Sequence, residues 1–390
     1  MKKRICFLVD SIFTYGGVQR VTAVIASQLS HNCDVTIVTL DGPALLNTSI
    51  YNLNEASNLH FRFFKYPQVG RLHTLFCKAY SAFYRRFTPQ AKLFSNLYAY
   101  SSFPSPLRKA LINELREQQY DTIIGVHAPL AVRLATIKPK LKGIRCIGWI
   151  HNSFEALFGP TSLYIGPDRQ RHYVYQFRKL DDTVVLCNHD AAVYRAYDSH
   201  FKPKVIYNPL TLVPGKKSQG KSKRFLAVGR FSHLHKGFDL LIDAFHLFAQ
   251  NNSDWTLDIV GEGPEESAYR QKIDKYGLQS RIELHPFTND IQTYYSAAQI
   301  YVLSSRWEGF GLVLVEAMAH GLPVVSSDLP TSLEIMGSFG MYFHNGHIEE
   351  LAERLLEATK MDWEAKSQEA LSIVKHFSID LITSQWEKLL

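Results

Sequence analysis

Residues 300–327 read IYVLSSRWEGFGLVLVEAMAHGLPVVSS, and their pattern identifies the fold class. An apolar run typical of a buried strand leads through a glycine-containing loop into a helical run from about Leu312 to His320. Gly321 and Pro323 end that helix, and LPVVSS predicts a second strand. Strand, helix and strand in this order predict a βαβ unit with parallel strands.

The same alternation of strands and helices continues along the rest of the chain. In the first half, KKRICFLVD is followed by a glycine turn, a helical run and the strand DVTIVTL, and DTIIGV, RCIGWIH and DTVVLC extend the series. In the second half, RFLAVG, WTLDIVG and RIELHPF precede the 300–327 segment. The sequence therefore predicts two α/β domains, each a doubly wound parallel sheet flanked by helices.

Length and composition set the domain boundaries. A chain of 390 residues exceeds what one hydrophobic core usually supports, and 46% hydrophobic residues are enough for two cores. Periodicity disappears in residues 206–222, where Pro, Gly, Ser and Lys accumulate, so this segment is the predicted linker. It separates an N-terminal domain, 1–205, from a C-terminal domain, 223–370. Residues 371–390 are expected to form a helix that crosses back to the N-terminal domain.

Charge and cysteine content limit the partners and the location. Residues 1–200 contain 24 Lys and Arg against 13 Asp and Glu, whereas residues 201–390 contain 19 against 23. A basic N-terminal half suggests an anionic partner, either nucleic acid or membrane phosphate. The five cysteines show no paired spacing, no apolar run is long enough to cross a bilayer, and no secretion signal is recognisable. A cytoplasmic protein is expected.

Two loops with glycines or cations follow predicted strands. In doubly wound sheets, ligands bind beyond the carboxyl ends of the strands, where glycines and helix N-termini accommodate anions. Gly16 and Gly17 follow the first strand, although a double glycine alone is more often a simple tight turn.

Arg230 and Lys236 precede a helix near Gly237, where two cations oppose the helix dipole unless an anion is present. A diphosphate would account for both cations, and the alternative is two solvated surface charges.

A third loop is framed by two glutamates. Glu308 precedes the helix of the 300–327 segment, and Glu316 lies in its second turn. The residues around Glu316 are apolar, namely Leu314, Val315, Ala317 and Met318. A solvated helix face would be more polar, so two carboxylates that accept hydrogen bonds from hydroxyl groups in a binding site are favoured over two surface glutamates.

Together these residues resemble glycosyltransferase family 4, the retaining sugar transferases of the GT-B fold. The resemblance covers almost the whole chain and is specific because the motifs occur as an ordered set. The motifs are Gly16-Gly17, His151 in WIHN, Arg230 and Lys236 in VGRFSHLHKG, VGEGPE at 260–265, and Glu308 and Glu316 with GFG between them. The resemblance implies two Rossmann-like domains that face each other across a cleft, with the acceptor bound by the N-terminal domain and the nucleotide-sugar donor by the C-terminal domain.

The resemblance also implies a role for each matching residue. Glu308 would bind hydroxyls of the donor sugar and support the developing charge, and Glu316 would hold the ribose hydroxyls. Arg230 and Lys236 would neutralise the diphosphate during catalysis, and His151 would lie beside the donor sugar. The other implied donor contacts are Gly16, Gly17, Phe310, Gly311 and Leu312, with Phe287 and Thr288 of the PFTND segment at the base.

The expected reaction transfers a hexose or N-acetylhexosamine, with retention, from a UDP-sugar to a hydroxyl of a growing bacterial surface glycan, such as a lipid-linked oligosaccharide, lipopolysaccharide or capsule. Fixed cations neutralise the leaving diphosphate, so we expect no metal and no cofactor besides the nucleotide-sugar co-substrate. A GDP-sugar transferase of the same fold and a catalytically silent sugar-nucleotide-binding subunit remain alternatives. A dehydrogenase is disfavoured because Gly16-Gly17 is not a GxGxxG motif, and only Asp41 supports it.

The region from 58 to 116 contains ten Lys and Arg but one acid, Glu114, with aromatic residues interleaved. On a helical wheel, one face is formed by Leu72, Phe76, Ala79, Phe83 and Phe87. The candidate membrane or acceptor face beside it consists of Arg71, Lys78, Arg85 and Arg86. Such a helix either lies in a membrane interface or packs its apolar face on the domain core. Because acceptors in such pathways are often lipid-linked, we expect peripheral association with the cytoplasmic face of an anionic membrane rather than with nucleic acid.

Overall fold

The structure is a computed structural model that describes residues 2–87, 92–160, 162, 164–232 and 234–390. The chain divides into two compact units. Unit 1 comprises the residues up to Pro209 together with Ile379–Leu390, and unit 2 comprises Leu210–Ser378.

The described part of unit 1 contains a parallel sheet of seven strands. The strands are β1 (Arg4–Val9), β2 (Asp34–Thr39), β3 (Leu59–Phe63), β4 (Thr122–Val126), β5 (Arg145–Trp149), β6 (Asp182–Val185) and β7 (Lys204–Val205). Their order is β3-β2-β1-β4-β5-β6-β7, and Ile5 of β1 pairs with Val35 on one side and Thr122 on the other. The strand order reverses between β1 and β4, so the carboxyl ends of these two strands flank a topological switch point.

Helices cover this sheet. They are α1 (Gly17–Leu29), α2 (Arg71–Phe87), α3 (Lys92–Ser102), α4 (Ser105–Glu117), α5 (Ala128–Ile137), α6 (Phe154–Phe158), α7 (Gln170–Phe177) and α8 (Asn188–Tyr197). The core lies between the sheet and these helices, as α5 shows: Leu130, Ala131, Leu134 and Ala135 recur at helical spacing and are all buried.

Unit 2 repeats the plan with six described strands. They are β8 (Arg224–Val228), β9 (Thr256–Val260), β10 (Ile282–His285), β11 (Ile300–Leu303), β12 (Val324–Ser327) and β13 (Met341–Phe343). The order is β10-β9-β8-β11-β12-β13, with every pair parallel, so the switch point lies between β8 and β11.

The helices of unit 2 confirm the pattern predicted from the 300–327 segment. They are α9 (Phe238–Ala249), α10 (Glu266–Lys275), α11 (Ile291–Ala297), α12 (Leu312–Ala319), α13 (Pro330–Met336), α14 (Ile348–Ala358) and α15 (Trp363–Ile373). In that segment β11, α12 and β12 follow one another, and Tyr301 pairs with Val324 in parallel register. The predicted pair of doubly wound sheets is therefore confirmed.

The chain leaves unit 1 within the segment that the sequence assigned to a linker, but residues 210–222 belong to unit 2. They are tied to it by backbone bonds: the Leu210 amide donates to the Phe377 carbonyl at 2.7 Å, and the Ser218 amide donates to the His320 carbonyl at 3.0 Å. The segment lacks periodicity because it packs as irregular backbone rather than because it is detached.

The last helix, α16 (Ile379–Leu389), belongs to unit 1. Its Trp386 is fully buried and packs edge to face on Trp149 of β5, with ring centroids 4.7 Å apart. Residues 371–378, which the sequence grouped with this helix, instead complete α15 and the 3-10 helix Val374–Phe377 of unit 2.

Helix α2 leaves its apolar face exposed. The exposed fractions of Leu72, Phe76 and Phe87 are 87, 66 and 69%, whereas Tyr84, about a quarter of a turn around the helix from this face, is buried and stacks on Tyr98 at 4.4 Å between ring centroids. Packing of the apolar face on the domain core, one of the two alternatives that the sequence left open, is therefore wrong. Among the described helices, each is too short or too polar to cross a bilayer.

Replacing Trp386 by alanine should lower the free energy of unfolding by about 3–5 kcal/mol, because a large buried aromatic side chain is removed and a cavity remains against Trp149. Leu381→Ala, in the same helix but with a 43% exposed side chain, is the matched control and should cost far less. Urea unfolding followed by circular dichroism measures both variants. Equal losses would show that Trp386 does not anchor α16.

Candidate functional site

The loops after β8 and β11 meet at a buried ion pair. The Nζ atom of Lys236 lies 2.6 Å from Oε1 of Glu308, and both side chains are largely buried. The hydroxyl of Ser305 donates to the same carboxylate oxygen at 2.7 Å. The pair lies at the switch point of unit 2, where doubly wound sheets bind ligands. The structure thus brings together two residues that the sequence assigned to different parts of a donor.

The electrostatics of this pair keep Glu308 charged. Burial favours the neutral acid, but Lys236, His235 and Ser305 together outweigh burial and hold the pKa of Glu308 below its ordinary value. Burial also lowers the pKa of His235, whose ring stacks on Trp307 with centroids 5.1 Å apart. At neutral pH the loops therefore present an ionised carboxylate, an ammonium group and a neutral imidazole, and Glu308 is suited to accept hydrogen bonds or to stabilise positive charge.

Two glycines let the loops approach each other. Gly237 has a φ of +63°, and a Cβ atom there would lie 2.0 Å from the carbonyl oxygen of Ser304. Gly311 has a φ of +87° and caps α12, whose first residue is Leu312. Any side chain at Gly237 would push the β8 and β11 loops apart.

Of the remaining predicted residues of unit 2, Arg230 and Phe310 lie on these two loops, whereas Phe287 and Thr288 follow β10, which is separated from β8 by β9. Arg230 is exposed at the end of β8 and is near enough to His235 to contribute to the lowering of its pKa. Phe287 is 44% exposed, and Thr288 accepts the backbone N–H of Asp290 at 3.0 Å just before α11. Phe310 is buried against Phe377, with centroids 5.8 Å apart, so its side chain serves packing.

Glu316 is not on a solvated helix face. It lies in the second turn of α12, is 2% exposed and accepts a hydrogen bond from the hydroxyl of Tyr295 at 2.9 Å. The surface alternative for this glutamate is therefore wrong. Tyr295 itself gave no signal in the sequence, because it comes from a different helix.

In unit 1, a tyrosine holds the glycine loop after β1. The hydroxyl of Tyr51 accepts the N–H of Gly16 at 2.8 Å and lies 2.9 Å from the carbonyl oxygen of Thr14, to which it donates. Tyr51 has a φ of +55°, a left-handed conformation that non-glycine residues rarely adopt. Gly17 begins α1 directly after this loop.

His151 lies at the end of β5 and is almost completely buried. Its ring lies 4.3 Å from the Trp149 ring and 5.6 Å from the His127 ring, measured between centroids. Burial, helped by His127, lowers its pKa well below the ordinary value, so the imidazole is neutral at pH 7. Its Nε2 has no hydrogen-bond partner among the described residues.

Sequence reasoning missed His127, which lies on the same side of the switch point of unit 1 as His151 and across it from the Gly16 loop. It follows β4, caps α5 and has a φ of +74°. Burial lowers its pKa, and the nearby Asp10 carboxylate opposes that shift. Strained backbone of this kind often marks functional positions. The only local signal was a histidine between a predicted strand and the helix start APL.

Asp41 does not serve the role that a dehydrogenase would require. Its Oδ2 accepts the backbone N–H of Ile12 at 2.8 Å and the hydroxyl of Thr39 at 2.9 Å. The carboxylate thus braces the loop after β1, and the one sequence feature in favour of a dehydrogenase has a structural explanation.

The basic residues of the candidate membrane face lie on α2. Arg71, Lys78, Arg85 and Arg86 are all exposed. Arg85 lies 3.8 Å from Asp168 between Nε and Oδ2.

Comparison with known proteins extends over both units. Residues 15–212 match the family model described as Glycosyltransferase Family 4, and residues 212–372 match the model described as Glycosyl transferases group 1. An uncharacterised glycosyltransferase of Haemophilus influenzae is 28% identical over 309 residues, which are 76% of this chain and 85% of the relative. The amylovoran biosynthesis glycosyltransferase AmsD of Erwinia amylovora is 26% identical over 340 residues, 84% of this chain and 82% of the relative.

Among solved structures, HepE of Anabaena in complex with UDP superposes with a TM-score of 0.76 at 19% identity, over 99% of both chains. This likeness concerns the fold, whereas the family models concern the sequence of each unit. Fold and sequence agree that the chain belongs to glycosyltransferase family 4 and is a glycosyltransferase of the GT-B fold.

Proposed function

We propose that this enzyme transfers a hexose or N-acetylhexosamine, with retention of configuration, from a UDP-sugar to a hydroxyl group of a growing bacterial surface glycan. The observation that carries the proposal is the buried pair of Lys236 and Glu308 at the switch point of unit 2. It offers a fixed cation and a fixed anion at the place where a doubly wound sheet binds a nucleotide.

The chemistry of the transfer requires both charges. When the bond between the anomeric carbon and the diphosphate oxygen breaks, its electron pair leaves with the diphosphate and positive charge develops on the sugar ring. Lys236 and Arg230 stabilise the leaving diphosphate, and the ionised Glu308 stabilises the ring through its hydroxyls. The acceptor oxygen bonds to the anomeric carbon on the face that the diphosphate leaves, and its proton passes to the leaving phosphate.

Neutralisation by side chains makes a metal ion unnecessary in this proposal. Asp258, Glu283 and His285 have ligand atoms within 4.8 Å of one another and could hold a metal. However, Oδ2 of Asp258 is already bonded to Arg224 at 2.8 Å, and a second cation there would be repelled. We therefore assign the charge compensation to Lys236 and Arg230.

The nature of donor and acceptor is supported by the relatives. HepE binds UDP in its solved structure, and the half-exposed ring of Phe287 offers a face on which a base can stack. AmsD acts in amylovoran biosynthesis, which favours a surface glycan as the acceptor. The exposed ring does not by itself distinguish uracil from guanine, so a GDP-sugar remains the second candidate donor.

The enzyme should release UDP slowly from one of a panel of UDP-hexoses and UDP-N-acetylhexosamines, in the presence of EDTA. Glu308→Gln should lower this rate about 10²-fold, the scale for losing one preorganised electrostatic contact. Glu357→Gln, which removes a half-exposed carboxylate from α14, is the control and should not change the rate. Nucleotide release is measured by chromatography.

Each other outcome of this assay has a meaning. Turnover of GDP-sugars but not of UDP-sugars would show that the donor is a GDP-sugar. Binding of a nucleotide sugar without turnover would identify the protein as a catalytically silent subunit. Complete loss of activity in EDTA that Mg²⁺ or Mn²⁺ restores would contradict the metal-free mechanism. Full turnover by Glu308→Gln at saturating donor would contradict the role of that carboxylate.

Arg230→Ala should weaken UDP binding by about tenfold or more, because a hydrogen bond to a charged group is lost. It should leave the midpoint of thermal unfolding unchanged, since the Arg230 side chain is exposed. Arg270→Ala, which removes an exposed guanidinium from α10, is the matched control. Calorimetric titration with UDP checks both variants, and unaltered affinity in Arg230→Ala would remove this residue from the site.

We also propose that α2 attaches unit 1 to the cytoplasmic face of an anionic membrane. Three large apolar side chains of α2 (Leu72, Phe76 and Phe87) are exposed together, and cations flank them. Exposure of such a face to water is unfavourable. A membrane interface, in contrast, accommodates the rings at the depth of the lipid headgroups and pairs the cations with lipid phosphate. A lipid-linked acceptor would then be presented to unit 1 at the membrane surface.

The triple variant Arg71→Glu, Lys78→Glu and Arg85→Glu should lose binding to vesicles that contain phosphatidylglycerol, because each cation near such a surface contributes about 1 kcal/mol of attraction. A matched triple variant reverses three exposed lysines of unit 1 elsewhere, Lys140, Lys142 and Lys202. It should retain most binding, and hydrolysis of the free donor should persist in both. Co-sedimentation at low and high salt measures binding. Equal binding of the two variants would contradict the membrane proposal.

A further inference from the structure

A buried hydrogen bond fixes Glu316 in unit 2. Tyr295 of α11 lies with its hydroxyl 2.9 Å from Oε2 of Glu316, and both side chains are almost completely buried. A carboxylate can only accept hydrogen bonds, so the tyrosine is the donor. A buried carboxylate needs such donors, because it has lost those of water. The hydroxyl of Tyr295 therefore cannot be removed without a change in how Glu316 is held.

The ring of Tyr295 is in turn held in place by His320. The two rings stack with centroids 5.0 Å apart and an interplanar angle of 21°. The Nδ1 atom of His320 lies 2.8 Å from the carbonyl oxygen of Glu316, which can only accept, so Nδ1 carries the proton. Burial lowers the pKa of His320. A neutral ring of defined tautomer thus links the tyrosine to the backbone of α12.

Ser218 ties the two helices together at the same end. Its amide donates to the carbonyl oxygen of His320, just after α12, at 3.0 Å. Its hydroxyl donates to the carbonyl oxygen of Ala298, just after α11. These two bonds fix the distance between the helix that carries Tyr295 and the helix that carries Glu316.

The orientation of the carboxylate follows from these contacts. Rotation about the last side-chain bond of Glu316 would break a buried hydrogen bond, so the plane of the carboxylate is held in one direction. The two hydroxyls of a ribose are donors at a fixed spacing, and a fixed acceptor recognises them with less loss of entropy than a mobile one.

We propose that Tyr295 is a positioning residue that orients Glu316 for the ribose hydroxyls, and that this bond sets the preference of the enzyme for ribonucleotides over deoxyribonucleotides. The proposal rests on the proposed function and on the role that the family resemblance implies for Glu316, which is to hold the ribose hydroxyls of the donor. It adds a residue that acts through Glu316 and does not itself touch the donor.

The test compares the affinities of UDP and 2′,3′-dideoxy-UDP by calorimetry. Wild type should prefer UDP by about tenfold or more, the scale of a hydrogen bond to a charged group. Tyr295→Phe should weaken UDP binding by about tenfold and leave dideoxy-UDP within about twofold, so the preference disappears. Tyr276→Phe is the matched control, since it removes a hydroxyl that donates to the Asp243 carboxylate at 2.8 Å at the far end of α10. It should keep the preference.

A double-mutant cycle provides an independent measurement. In a Glu316→Gln background, Tyr295→Phe should cause no further loss of UDP affinity, because both changes act on one contact. Additive losses, or equal weakening of both nucleotides by Tyr295→Phe, would show a merely structural tyrosine and overturn the proposal.

The wild-type measurement separates this proposal from the function on which it rests. If wild type turns over a UDP-sugar but does not distinguish UDP from dideoxy-UDP, Glu316 does not hold the ribose, and the role of Tyr295 falls while the transferase remains. If wild type binds GDP rather than UDP, the same comparison is made between GDP and 2′,3′-dideoxy-GDP. If it binds neither, the proposed function has failed, and the role of Tyr295 falls with it.

Discussion

The ion pair of Lys236 and Glu308 is the constraint on which unit 2 depends. Removing two charges from water costs free energy, and their attraction offsets that cost only when the geometry is good. Here the geometry is supplied by β8 and β11, which are hydrogen-bonded neighbours, and by Gly237, which lets the following loops touch. In the proposed reaction, the donor diphosphate would compete with Glu308 for the ammonium group of Lys236. The ion pair holds both charges with little exposure to solvent.

The two units use the same place in the sheet for different chemistry. In unit 2 the loops at the switch point carry opposite charges. In unit 1 the corresponding loops hold the Gly16 turn and the strained His127, with His151 just beyond the end of β5, and burial keeps both imidazoles neutral. A neutral imidazole can accept or donate a hydrogen bond, whereas a charged one only donates. One unit is therefore suited to charge stabilisation and the other to hydroxyl recognition.

The local sequence pattern predicted most of the fold, because strands, glycine turns and helical runs are each encoded in a short segment of the sequence. It also placed Lys236 and Glu308 on loops after strands and Glu316 in the second turn of a helix, where the structure has them. It could not predict that Lys236 contacts Glu308, since the two are 72 residues apart and no periodicity links them. The same holds for Tyr295 and Glu316, 21 residues apart on different helices.

Helix α2 shows another limit of sequence reasoning. The helical wheel identified its apolar face correctly. A helical wheel does not show, however, whether that face packs on the protein core or is exposed. The helix packs through the neighbouring flank, where Tyr84 lies. Aromatic side chains with one polar atom, such as tyrosine, can fill a core as well as phenylalanine does, so the more apolar face was free to remain outside.

The position of α16 has a consequence for the synthesis of the protein. Unit 2 is continuous in the chain and can fold as soon as it leaves the ribosome, whereas unit 1 lacks Trp386 until α16, which follows unit 2, has been made. Unit 1 is therefore completed after unit 2, and until then a nascent chain carries Trp149 with its partner ring still missing. A chain that stops before α16 would leave that apolar surface open beside His151, where chaperones and proteases recognise unfinished chains.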